Sequence, residues 1–145
     1  MQCATVLERI TPGQPATRIK TDFCSTDEAA VRAAVPADLP VLAVFYGGVG
    51  FTGASRTVWV PSPCDSVGYS VTDNRARNSE VGGIRSVKLG SAGCNFVQAF
   101  SDTNFGGTPQ SAFFGLPTVT GALLRHVWSA KMWVNMLPCL DAACQ

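Results

Sequence analysis

The sequence predicts an all-β protein, a sandwich of antiparallel sheets led by a β-hairpin and one short helix. Three observations predict it. From residue 41 onward, short apolar segments recur at regular spacing between turns, in a chain with 14 Gly and 9 Pro among 145 residues. A motif of two aromatics and a glycine occurs twice, starting at Tyr46 and again 54 positions later at Phe100. Two cysteines, Cys3 and Cys24, frame the first pair of alternating segments.

Residues 3–9 and 16–23 alternate in polarity around the turn signal Thr11-Pro12-Gly13-Gln14 and read as a hairpin. Pairing brings its ends together, so a Cys3–Cys24 bridge is geometrically natural and would tie an element that is marginal alone. Ser25 and Glu28 have capping-box spacing before an Ala-rich stretch, predicting a helix over 25–35 that Pro36 stops. Residues 36–40 are a connector. Strands follow at 41–46, at 56–60 up to Pro61-Ser62-Pro63-Cys64, at 67–71, and at 84–89 after a polar excursion over 72–80. The pattern restarts at 95–100, 108–114, a weaker 119–124, and 126–134. In the last, Trp128, Ala130, Met132 and Val134 share one face. Alternation sends Trp133 outward with Val127, Ser129 and Lys131, and sets Trp59 opposite Val58 and Val60. The organisation is therefore an N-terminal unit over 1–40 packed on the core, a β domain over 41–134 with halves at 41–92 and 93–134, and a tail over 135–145.

The repeated motif is Tyr46-Gly47-Gly48-Val49-Gly50-Phe51-Thr52-Gly53 and Phe100-Ser101-Asp102-Thr103-Asn104-Phe105-Gly106-Gly107. Two aromatics five residues apart can stack across a tight bend, and Gly53 or Gly107 can take the positive φ that a Cβ resists. This motif resembles the Greek key of the βγ-crystallin superfamily over residues 41–134. The whole chain resembles secreted actinobacterial proteins grouped with the family I36 peptidase inhibitors, notably at Phe51-Thr52-Gly53-Ala54-Ser55 and Pro63-Cys64-Asp65-Ser66-Val67-Gly68-Tyr69. The resemblance implies two four-stranded antiparallel sheets packed face to face.

Many microbial relatives hold calcium with an acidic or amide pair followed by Ser/Thr-Ser before the last strand of each motif. The matching stretches here are Val81-Gly82-Gly83-Ile84-Arg85-Ser86 and Leu124-Arg125-His126-Val127-Trp128-Ser129, where only the final serine remains. Without the charged oxygen ligands, no calcium is expected at either position. Asp73, Asn74, Asn78 and Glu80 make an oxygen-rich segment that reads as a solvated turn, the alternative being an unrelated weak calcium site.

With 11 basic and 10 acidic side chains the net charge is +1, which argues against a nucleic-acid footprint or a polybasic membrane surface. The longest apolar stretch, 41–51, is broken by glycines and too short to span a bilayer. One histidine excludes a multi-histidine metal site, and the cysteines lack Cys-x2-Cys pairs for zinc. No cofactor is expected. Six cysteines point to an oxidising compartment, hence a secreted, extracellular protein. The chain opens without a signal-peptide pattern, so that expectation requires a leader outside this sequence; the alternative is a cytosolic protein with six free thiols. Cys139 and Cys144 can bridge locally, or one can anchor the tail to Cys64 or Cys94.

Three functional readings compete. The first is a protein-binding module whose partner is a secreted peptidase or another protein, acting as a monomer or weak homodimer. Its contact residues would be Trp59, Trp133 and Pro63, the last on the 61–65 loop. The second is a structural, stress or toxin-like secreted protein without a discrete site. The third is an enzyme reusing the scaffold, whose acid–base groups would come from His126, Tyr46, Tyr69, Asp65 and Asp102.

Overall fold

The computed structural model describes residues 2–9, 19–33, 35, 38–124 and 126–135. In chain order it contains β1 (Gln2–Leu7), β2 (Ile19–Ser25), α1 (Glu28–Ala33), β3 (Val41–Gly48), β4 (Thr52–Trp59), β5 (Tyr69–Val71) and α2 (Arg75–Glu80). Then come β6 (Ser86–Leu89), β7 (Phe96–Phe100), β8 (Pro109–Phe113), β9 (Gly115–Leu116) and β10 (Ser129–Trp133). One sheet runs β2-β1-β4-β3-β6-β9 and the other β5-β10-β7-β8.

Each half of the β domain lends its third strand to the other. β3, β4 and β6 share a sheet with β9, while β7, β8 and β10 share a sheet with β5. Each half thus completes the other's sheet, and the two share one core. Phe45, Val58, Val60 and Val87 meet Tyr69, Val97, Ala99 and Met132 there, none more than 2% exposed. Burial of each large apolar side chain contributes about 1.5–3 kcal/mol before entropy is counted.

The two aromatic motifs form matching corners. Tyr46 and Phe51 rings lie 5.9 Å apart, and Phe100 and Phe105 rings 5.5 Å apart. Gly53 and Gly107 take φ of 83° and 74°, and Phe51 and Phe105 themselves sit at 64° and 60°. Left-handed backbone at a bulky residue is costly and needs outside support. The last strand of each half supplies it. Ser86 Oγ donates to Gly48 O at 2.5 Å and accepts from Phe51 N at 3.0 Å. Ser129 Oγ donates to Asp102 O at 2.6 Å and accepts from Phe105 N at 3.0 Å. Two residues on, Lys88 and Lys131 place their ammonium groups over the Phe51 and Phe105 rings, at 5.8 and 4.2 Å.

Instead of two four-stranded sheets, one sheet has six strands. β1 pairs in parallel with β4, from Gln2↔Ser55 to Val6↔Trp59. The hairpin therefore prolongs the sheet instead of lying over the core. Without it, β4 would present an open edge of unpaired N–H and C=O groups. Cys3 faces Cys24 across β1 and β2, and their sulfurs are bonded. The four-stranded sheet does not extend to these added strands, and α2 packs there through polar contacts. Arg56, fully buried, bonds Asp22 and Thr5 and pairs with Glu80. Arg77 reaches Asp22 at 3.4 Å and Asn74 Oδ1 at 2.7 Å. Burial lowers the pKa of both guanidiniums, and the Asp22 carboxylate opposes that shift.

Several local expectations give way to tertiary contacts. Ser25 ends β2, and Asp27 Oδ1 caps α1 by accepting from Ala29 N at 3.0 Å, so the helix covers 28–33, not 25–35. The polar stretch 72–80 is α2 with its lead-in, not a solvated turn: Asn74 and Asn78 are buried, their amides used by the Val127 backbone and Ile84 N. Residues 119–124 hold a 3-10 turn at Gly121–Leu123, and the exchanged strand is instead β9, which pairs with β6. Trp128 does not head a core face, because His126 N turns back to Leu123 O at 2.8 Å and β10 starts only at Ser129. Val127 fills the core in its place, and Ser129, expected outward and exposed, is sealed under the Phe105 corner.

Removing either corner hydroxyl leaves a main-chain N–H and carbonyl unmatched. Ser86→Ala and Ser129→Ala are each expected to lower stability by about 1–3 kcal/mol, read as a fall in urea midpoint at unchanged slope. Arg56→Ala should cost about 3 kcal/mol, the low end for a broken buried pair because its acids stay one-third exposed. An unchanged midpoint for Arg56→Ala would contradict a structural role for that network.

Candidate functional site

The segment between β4 and β5, residues 61–68, combines an exposed surface with a fixed main chain. Pro61 lacks the N–H that would continue the ladder, so the chain leaves the sheet there. Cys64 is bonded to Cys94, and Cys64 N donates to Ala92 O at 2.8 Å. Because Cys64 and Cys94 bond each other, neither can anchor the tail; Cys139 and Cys144 lie outside the described residues.

Asp65 organises the second half of the loop. Its Oδ1 accepts from Gly68 N at 2.9 Å and Val67 N at 3.1 Å, and its Oδ2 accepts from Arg9 Nη2 at 2.5 Å. Arg9 Nη1 also donates to Ser62 Oγ at 2.6 Å, and Tyr69 OH donates to Ser62 O at 3.0 Å. Val134 N closes the exit by donating to Asp65 O at 2.8 Å. Gly68, at φ 68°, runs so close to β10 that a Cβ would stand 2.0 Å from Met132 O. Between these anchors Pro63, Ser66 and Val67 face solvent, Val67 at 62% exposure. Beside the loop, Val6, Leu7, Leu39 and Pro61 line a largely apolar hollow of about 400 Å³.

The proposed acid–base groups do not converge. Asp65 and Tyr69 are linked through Arg9 and Ser62, but Tyr69 is fully buried and Asp65 is committed to the loop. Tyr46 shares a hollow of about 230 Å³ beneath α1 with Trp59. Asp102 accepts from Thr103 N, and His126 lies exposed on the Trp128 ring at 4.8 Å. Trp133 stands on the outer face of the other sheet, packed on Phe96 at 4.9 Å. Sequence reasoning missed Arg9 and Ser62, which are 53 residues apart and have no local signature.

The segments matching the calcium motif do not fit the ion. Neither carries a carboxylate, and the one oxygen each retains, on Ser86 or Ser129, already donates and accepts within a corner. In the 73–80 segment, Asp73 is held by Arg75 at 2.8 Å, which brings its pKa down to about 2, and Glu80 faces Arg56. Cys3, Cys24 and Glu80 come within 4.8 Å of one another, but the sulfurs are spent in the disulfide. No helix among the described residues is long and apolar enough to cross a membrane.

Two Greek keys that exchange third strands, each with an aromatic corner pinned by a serine of its last strand, make this a βγ-crystallin-like sandwich extended by a disulfide-closed hairpin. No protein-family model and no curated protein sequence matches the chain. Among solved structures it is similar to a βγ-crystallin domain from Clostridium beijerinckii, at 20% identity and TM-score 0.46 over 65% of this chain and 99% of that one. A βγ-crystallin domain from Flavobacterium johnsoniae is similar at 19% identity and TM-score 0.44, over 66% and 97%. The N-terminal domain of protein S is similar at 17% identity and TM-score 0.43, over 63% and 94%.

The Gly68 amide, the Arg9 guanidinium and the Val67 amide hold the Asp65 carboxyl below its ordinary value of 3.8. A depressed carboxyl contributes stability above its unfolded pKa and loses it as pH falls through the folded one. Measured against the intrinsic exchange rate at each pH, the Val67 and Gly68 amides should therefore be protected at neutral pH and lose that protection selectively on acidification below 3.8. In Asp65→Ala the same amides should lack this protection at every pH, with the protection of the core amides unchanged.

Proposed function

We propose that the protein is a secreted binding module that inhibits a peptidase through the 61–68 loop. The observation that carries this reading is the loop itself: exposed side chains on a main chain held by Cys64–Cys94, by Asp65 and by Arg9. An inhibitor must enter a protease cleft in an extended form and resist completion of cleavage. A loop already fixed loses little conformational entropy on binding, and its severed ends would be kept in place. Pro63 and Val67 offer apolar side chains to subsites, and the adjoining apolar hollow can receive a lip of the partner. The two disulfides among the described residues support the extracellular assignment.

A panel of secreted serine, cysteine and metallo-endopeptidases tests the reading. Tight, stoichiometric inhibition of at least one is expected, with the complex protecting the 61–68 segment from cleavage. Cys64→Ser with Cys94→Ser should weaken inhibition by about 100-fold or more, since a loosened loop regains the entropy that its anchoring removed. Rapid turnover of the loop by every peptidase, with no inhibition, would refute the assignment.

A further inference from the structure

The outer face of the four-stranded sheet carries a second surface, separate in its chemistry from the loop's inhibitory face. Register places residues there in two cross-strand rows. Trp133, Phe96 and Phe113 form an aromatic row, and Ser70, Lys131, Gln98 and Ser111 a polar one. Phe96 stands between its neighbours, 4.9 Å from Trp133 and 4.8 Å from Phe113. Where the rows meet the turn at 66–67, a hollow of about 380 Å³ opens, lined by Ser66, Val67, Ser70, Gln98, Lys131 and Trp133. That volume lies within the range of small-ligand clefts, about 300–1,000 Å³.

We propose that this hollow binds an acidic saccharide, a uronic-acid-type sugar within an oligosaccharide. The indole of Trp133 offers a surface for the C–H face of a pyranose, and the Gln98 amide and Ser66 hydroxyl offer hydrogen bonds to its ring hydroxyls. Among the described residues that line it, Lys131 alone carries a formal charge. Its ammonium is positioned by the Phe105 ring at 4.2 Å, which leaves N–H donors for a sugar carboxylate. The nearest acid in sequence, Asp65, is turned to Arg9 and to the Val67 and Gly68 amides. The site is also preorganised: Trp133 is packed on Phe96, and glycine at position 68 lets the 66–68 turn pack so close to β10 that a Cβ there would stand 2.6 Å from Trp133 Cβ. A purely apolar docking face would not carry the polar row, and a general anion site would not need the indole.

The test titrates the full chain with trigalacturonate, with the neutral trisaccharide cellotriose, and with a short poly-glutamate peptide. Tryptophan fluorescence and calorimetry report binding. Trigalacturonate should bind in the micromolar-to-millimolar range, at least about tenfold tighter than either control, and more weakly as salt rises. Lys131→Gln should abolish the preference for the acidic sugar over cellotriose. Trp133→Phe, which keeps an aromatic ring on Phe96, should weaken both sugars several-fold, and Gln98→Ala should do so with no risk to the aromatic packing. The hollow borrows Ser66 and Val67 from the loop, but these substitutions lie outside it, so peptidase inhibition in the variants should stay unchanged, which separates a failure of saccharide binding from a failure of the loop. No saccharide binding by a folded chain would overturn the proposal. So would equal binding of poly-glutamate and trigalacturonate, indifference to Lys131→Gln and Gln98→Ala, or occupation of the hollow by a second copy of the chain in solution.

Discussion

Two serine hydroxyls hold the architecture together. Ser86 and Ser129 each donate to a carbonyl and accept from an N–H of an aromatic corner, so a left-handed aromatic residue is secured by two bonds from one side chain. The position of these serines matters as much as their bonds. β6 lies between β3 of its own half and β9 of the other, and β10 lies between β7 and β5. The strand that pins the corner is therefore the strand that receives the exchanged neighbour. Corner, parent hairpin and sister half are fastened along the same line, and the two halves form one unit with one core.

The N-terminal hairpin extends this frame by different physics. Its outermost strands reach beyond the opposing sheet, so the surface between them and α2 is closed by charge. Arg56 and Arg77 meet Asp22 and Glu80 beneath the Cys3–Cys24 bond. In a chain-entropy account each disulfide loop, with separations of 21 and 30 residues, removes about 3–4 kcal/mol of freedom from the unfolded chain. The same hairpin carries Arg9 to Ser62 and Asp65. Because β1 and β4 run parallel with Val6 opposite Trp59, Arg9 leaves the sheet at the same end as the loop that follows β4, and attaching the hairpin to the open edge thereby stiffens that loop.

Much of this was readable from local pattern. The aromatic spacing marked the corners because the bend needs two rings and a glycine within eight residues. The absence of carboxylates just before Ser86 and Ser129 was visible in the sequence. Other features were hidden because their signal is long-range. Asn74 and Asn78 look like solvent-facing turn residues until the Val127 backbone and Ile84 N take up their amides. Gly115–Leu116 is too short to announce a strand, and it exists because β6 offers it an edge. The candidate loop was legible as Pro61 to Asp65, but its anchor Arg9 was not.

The β class, the two corners and the framing of the first hairpin can be read from the order of residues, since alternation, the spacing of rings and glycine, and cysteines at the two ends of one hairpin all act through local sterics. The parallel joining of β1 to β4, the pairing of Cys64 with Cys94, the burial of Arg56 and the company kept by Trp133 emerge from the folded chain. Those outcomes depend on which distant backbone edge or charge arrives to satisfy a group, and no local spacing encodes that arrival.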